Sequence, residues 1–103
     1  MFVGGGCADD PTTTTYYSAA EGEHLQLDCS SWRQAGDVVT WYKDGRTVRD
    51  DFRHVLTTDG AVLTLRDLRR TDRGRYQCRI TDRPTGQLIR RQTFVVTEGG
   101  RHF

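Results

Sequence analysis

The chain has 103 residues, which suits one domain and leaves no room for a second. Fifteen Lys and Arg against 14 Asp and Glu leave a net charge of +1, which argues against a dedicated nucleic-acid binder and against a charge-expanded disordered chain. No apolar run exceeds three residues, so no segment reads as a membrane span or as the core of a signal peptide.

Residues 1–12, with Gly4-Gly5-Gly6, Cys7 and Asp9-Asp10, have a composition that buries nothing and read as a flexible lead. Thr12–Thr15 after Pro11 read as an edge strand, because β-branching favours extended backbone, with an O-glycosylated stalk as the other reading. Leu25, Leu27 and Cys29 are spaced by two with polar residues between them, the alternation of a strand with one buried face. Val39 and Trp41 repeat that spacing and leave Val38, Thr40 and Tyr42 on the opposite face. Asp44-Gly45 predicts a tight hairpin turn into Arg46–Val48. A short strand is expected near Arg53–Thr57, another carrying Leu63 and Leu65, and a single helical turn around Asp67 to Thr71. Tyr76, Cys78 and Ile80 alternate next, then Phe94 and Val96, while residues 99–103 read as a tail or linker stump. Turn signals every eight to twelve residues make the whole chain an all-β sandwich or barrel.

The inward set is Leu25, Leu27, Val39, Trp41, Leu63, Leu65, Leu68, Tyr76, Ile80, Phe94 and Val96. So small a core benefits from a covalent staple. Cys29 and Cys78 both fall on inward positions of separate strands, and bridging them would add about 4 kcal/mol in the chain-entropy account. Cys7 is then the odd cysteine, either a free thiol or the partner in an intermolecular disulfide.

The run Leu63-x-Leu65-x-x-Leu68-x-x-x-Asp72-x-Gly74-x-Tyr76-x-Cys78 resembles the E-to-F segment of immunoglobulin-superfamily domains. Glu21 to Cys29 resembles their B strand, and Trp41-Tyr42-Lys43-Asp44-Gly45 their C strand and C–C′ turn. The resemblance implies a Greek-key sandwich of two antiparallel sheets over residues 13–98, with an inter-sheet Cys29–Cys78 disulfide, Trp41 packed against it and Tyr76 as the corner tyrosine. Only 21 residues separate Trp41 from Leu63, which leaves little for a C″ strand and makes the domain I-set-like, with a shortened V-set as second choice. Relatives pair an arginine at the start of D with the E–F aspartate. Arg53 and Asp72 hold those positions, with Arg69 and Arg70 as competitors for Asp72.

Functionally, the resemblance implies an extracellular recognition domain of a receptor or adhesion protein. Its ligand would be another protein or a like domain, met on the outer face of the G-F-C-C′ sheet. Thr40, Tyr42, Gln77 and Arg79 are the residues expected there, extended by Arg46 beside the C–C′ turn and Arg83 in the F–G loop. Tyr and Arg suit the role, through rigid area and directional bonding. The phase of Arg90 and Arg91 stays open, since bulges are common in that strand. An intracellular array domain with reduced cysteines is the rival reading, and polyanion binding by Arg66, Arg69, Arg70, Arg73 and Arg75 a weaker one. His24, His54 and His102 lack metal-ligand spacing, and Ser18, Ser30 and Ser31 lack a nucleophile elbow, so neither cofactor nor catalysis is expected. No asparagine occurs, which excludes N-glycosylation.

Overall fold

The computed structural model describes residues 12–98; Cys7 and the 99–103 tail lie outside them. Eight strands run in the order β1 (Thr12–Ala19), β2 (Leu25–Asp28), β3 (Asp37–Lys43), β4 (Arg46–Thr47), β5 (His54–Leu56), β6 (Val62–Leu65), β7 (Gly74–Asp82) and β8 (Leu88–Glu98). They form a five-stranded sheet, β1-β8-β7-β3-β4, and a three-stranded sheet, β2-β6-β5. In the lettering of the domains the sequence resembles these are A-G-F-C-C′ and B-E-D. Two short 3-10 turns, Ser30–Trp32 and Arg70–Asp72, complete the fold; the first carries no alternation and was invisible in the pattern. Every strand pair is antiparallel except β1 with β8, which run side by side from Thr12↔Arg91 to Ala19↔Glu98. β1 lies parallel because the chain leaves its end for the opposite sheet instead of turning back along β8.

Alternation sets what each sheet turns inward. Leu27 faces Leu63 across β2–β6, and Trp41 faces Cys78 across β3–β7. Cys29 and Cys78 are joined by a disulfide with Cα atoms 6.8 Å apart, so the staple links the two layers. The Trp41 ring lies 5.6 Å from Phe94, and its indole N–H donates to the Gly60 carbonyl at 2.7 Å, which satisfies the only polar atom of a nearly fully buried ring. Leu25 and Val39, expected inside, are only partly buried, packed against the core from its rim. Ala61 and Gln92 are buried instead. Gln92 is tolerated there because its amide oxygen accepts from the Thr13 hydroxyl and its Nε2 donates to Thr15 Oγ1, tying β1 to β8. Asp44, at φ +48, and Gly45, at φ +88, make the hairpin turn with the two positive φ values it needs.

Candidate protein-binding face

The outer face of the five-stranded sheet follows from the inner one. With Trp41, Tyr76 and Cys78 turned to the core, Thr40, Tyr42, Gln77 and Arg79 must turn out. The register sets Tyr42 opposite Gln77 and Thr40 opposite Arg79, with Gln77 also opposite Thr93 on β8. Arg79 then has a choice of neighbours. Arg91 stands directly across from it on β8, and like charges so placed repel. Its guanidinium turns the other way, 4.2 Å above the Tyr42 ring, and its Nε donates to Gln77 Oε1 at 2.8 Å. Gln77 Nε2 in turn donates to Thr93 Oγ1 at 3.2 Å. Tyr42, Arg79, Gln77 and Thr93 thus form one connected string across three strands, half-buried at the first three and buried at Thr93. A depression of about 210 Å³ lies beside it, its lining including Tyr42, Asp44, Arg75, Gln77 and Arg79.

Two of the expected residues are not brought to this cluster. Arg46 is in register with Lys43, whose side chain turns to the inner side and reaches over the Tyr76 ring at 5.8 Å. Arg46 accordingly lines a second concavity of about 480 Å³, with Lys43, Arg49, His54 and Tyr76, at the open mouth between the layers. Arg83 sits in the exposed turn between β7 and β8, beyond Asp37 and Asp82 at the far end of the sheet. The phase of β8 is also settled. Unbroken pairing from Gly74↔Val96 to Ile80↔Arg90 sets Arg91 opposite Arg79, the register irregularity falls beyond it at Ile80/Thr81, and Arg90 lies 4.9 Å over the Trp32 ring.

Beneath the face, Asp72 holds the lower corner. Its carboxylate, 2% exposed, takes Arg53 Nη1 at 2.7 Å, the Arg69 backbone N–H at 2.8 Å and His54 Nε2 at 3.2 Å. Burial pushes its pKa up, but the hydrogen bond from Arg53, the Arg69 amide and the neighbouring charges outweigh that and hold it below the usual carboxylate value. The competitors are occupied elsewhere: Arg69 Nη2 with Asp67 at 3.2 Å and Arg70 with Glu21 at 3.5 Å. Arg73 pairs with Glu98 at 3.0 Å, so three of the five arginines of that corner have an acidic neighbour. His54 was not expected in this cluster; nothing local in the sequence says that β5 brings it to Asp72. Tyr76 Oη donates to the Asp72 carbonyl at 2.5 Å, closing the tyrosine corner. Among the described residues no group of His, Cys, Asp and Glu is arranged to hold a metal ion.

A family model described as immunoglobulin domain matches residues 10–82. The chain belongs to the immunoglobulin domain family. Human hemicentin-1 is 30% identical to this immunoglobulin domain over 70 residues, 68% of the chain and 1% of that protein. Rat vascular endothelial growth factor receptor 2 is 30% identical over 78 residues, 76% of the chain and 6% of the receptor. The chain therefore spans only a few per cent of the curated relatives it matches. Among solved structures, the M1 domain from titin superposes with a TM-score of 0.62 at 19% identity, covering 89% of this chain and 94% of that one, a likeness of fold.

Proposed function

We propose that this immunoglobulin domain is a non-enzymatic recognition module of an extracellular receptor or adhesion protein, and that it docks another protein on the outer face of β3, β7 and β8. The observation that carries this reading is the Tyr42–Arg79–Gln77–Thr93 string. Arg79 is held by both the Tyr42 ring and the Gln77 amide before any partner arrives, so little side-chain freedom is lost on docking. Tyr and Arg are also the residues that most often dominate binding energy. The similarity to a protein named as a growth factor receptor supports the class, and the Cys29–Cys78 disulfide suits an oxidising compartment.

The test is binding of the labelled domain to an array of cell-surface ectodomains that includes the domain itself. Tyr42→Ala and Arg79→Glu should each lose binding about tenfold or more with an unchanged melting temperature. Hits that survive both substitutions undiminished would move the surface elsewhere. Thiol titration of denatured, unreduced protein taken from its native compartment separates the rival: one free thiol fits this reading, three an intracellular array domain.

A further inference from the structure

The five-stranded sheet ends on β1, eight residues of Thr, Tyr, Ser and Ala with no charge and no proline. The other three edges are unlike it: β2 is four residues long and carries Asp28. β4 is two residues long and carries Arg46. β5 is three residues long, and three of its outward backbone groups are taken: Asp51 Oδ1 accepts the His54 N–H, the Asp51 N–H donates to the His54 carbonyl, and Asp50 Oδ1 accepts the Leu56 N–H. Shortness, charge and capping are the devices that stop sheets pairing edge to edge. β1 has none of them, and among the described residues no strand pairs with its far side.

One contact reveals which backbone groups β1 leaves open. The Tyr17 carbonyl accepts from Thr97 Oγ1 on β8 at 3.2 Å, so that carbonyl faces β8. In an extended strand the N–H and C=O of one residue point the same way and alternate along the chain. Thr13, Thr15 and Tyr17 therefore direct theirs to β8, and Thr14, Tyr16 and Ser18 direct theirs to the open side. The side chains of this second set lie on the outer face, where Tyr16 is 73% exposed.

We propose that β1 is a self-association edge, on which a second copy of this chain pairs antiparallel to make one continuous sheet from two. Two independent conditions select the register. Keeping both outer faces on the same side requires that even-numbered residues oppose even-numbered ones. Exchanging N–H···O=C bonds requires that Thr14, Tyr16 and Ser18 be the residues in contact. Two-fold axes at Thr15 and at Tyr16 both meet these conditions with equal overlap; the axis at Thr15, which sets Thr14 against Tyr16 and Thr12 against Ser18, engages four outward residues of each strand against three and is the register proposed. A slip of one residue breaks both. The occupant is a second β1 because the edge is uncharged and matches itself: no like charges meet, and Thr against Tyr is a favourable cross-strand pair. Contact along one strand of about 27 Å is small for an interface, so the dimer exchanges with monomer and depends on concentration. The proposal stands apart from the Tyr42–Arg79 reading, since neither residue lies at this edge.

The test is sedimentation equilibrium of the full chain carrying Cys7→Ser, which removes an intermolecular disulfide as a source of dimer, from about 10 μM to about 1 mM. The weight-average mass should climb from 11.8 kDa toward twice that. Adding Tyr16→Lys, at an exposed position that leaves the melting temperature unchanged, should weaken association about tenfold or more. Hydrogen exchange gives a second reading: the amides of Thr14, Tyr16 and Ser18 should slow as concentration rises, while those of Thr13, Thr15 and Tyr17 stay constant. A mass fixed at the monomer value up to about 1 mM overturns the proposal. So does association that Tyr16→Lys leaves intact, or that Tyr42→Ala abolishes.

Discussion

The two carboxylate oxygens of Asp72 hold the start of β5, through Arg53 and His54, to the turn before β7, through the Arg69 amide. Removing the carboxylate strands a guanidinium and an amide in a half-dry site. Asp72→Ala should therefore cost about 2–3 kcal/mol in urea unfolding, below the about 3–5 kcal/mol of a fully buried pair because Arg53 keeps some contact with water. The pH dependence has a definite sign. Because the folded pKa lies below the ordinary 3.8, the contribution is complete above that value and is lost as pH falls through the depressed one. Unfolding curves taken between about pH 4 and pH 2 should be flatter for Asp72→Asn than for the parent, and equal steepness would assign the acid limb to other groups. The Arg53–Asp72 geometry coincides with the pair that family resemblance pointed to. His54 had no such signal, since a lone histidine between an arginine and a valine reads as neither buried nor exposed. Gln92 was equally illegible: its partners Thr13 and Thr15 lie almost the whole chain away, and a glutamine at an inward position reads only as polar.

At the scale of elements, strands with strict alternation could be read directly and edges could not. β2, β3, β6 and β7 announce themselves because every second residue is apolar, and a sandwich demands that. β5 is three residues long, and what completes it is the capping by Asp50 and Asp51, an arrangement with no periodic trace. Hydrogen bonding from the His54 ring, helped by the backbone amides of His54 and Arg53, lowers the Asp51 pKa to about 2, so the cap stays charged through the physiological range. Asp50→Ala with Asp51→Ala should speed hydrogen exchange at the His54 and Leu56 amides about tenfold or more while leaving Val55, which pairs with Thr64 on β6, unchanged. Uniform acceleration of all three would mean that the strand itself had come loose.

Across the whole molecule, one covalent link joins the layers. Cys29→Ala with Cys78→Ala should cost about 4 kcal/mol in denaturant titration, a large share of the stability of a domain this size. A loss under about 1 kcal/mol would show that Trp41, Phe94 and the leucines hold the sandwich without it. The fold class could be read from the sequence because Cys29, Trp41, Tyr76 and Cys78 occur in order on alternating strands; where Arg46 and Arg83 stand relative to the proposed docking face could not, since Arg46 turns inward at a two-residue strand and Arg83 sits past the sheet. The parallel pairing of β1 with β8 has a mechanical consequence. Thr12 lies at one pole beside Arg91, and Glu98 at the other beside Ala19. Tension applied between those two residues slides the strands along each other instead of peeling them apart, so the whole ladder bears load at once and must rupture together before the sandwich lengthens.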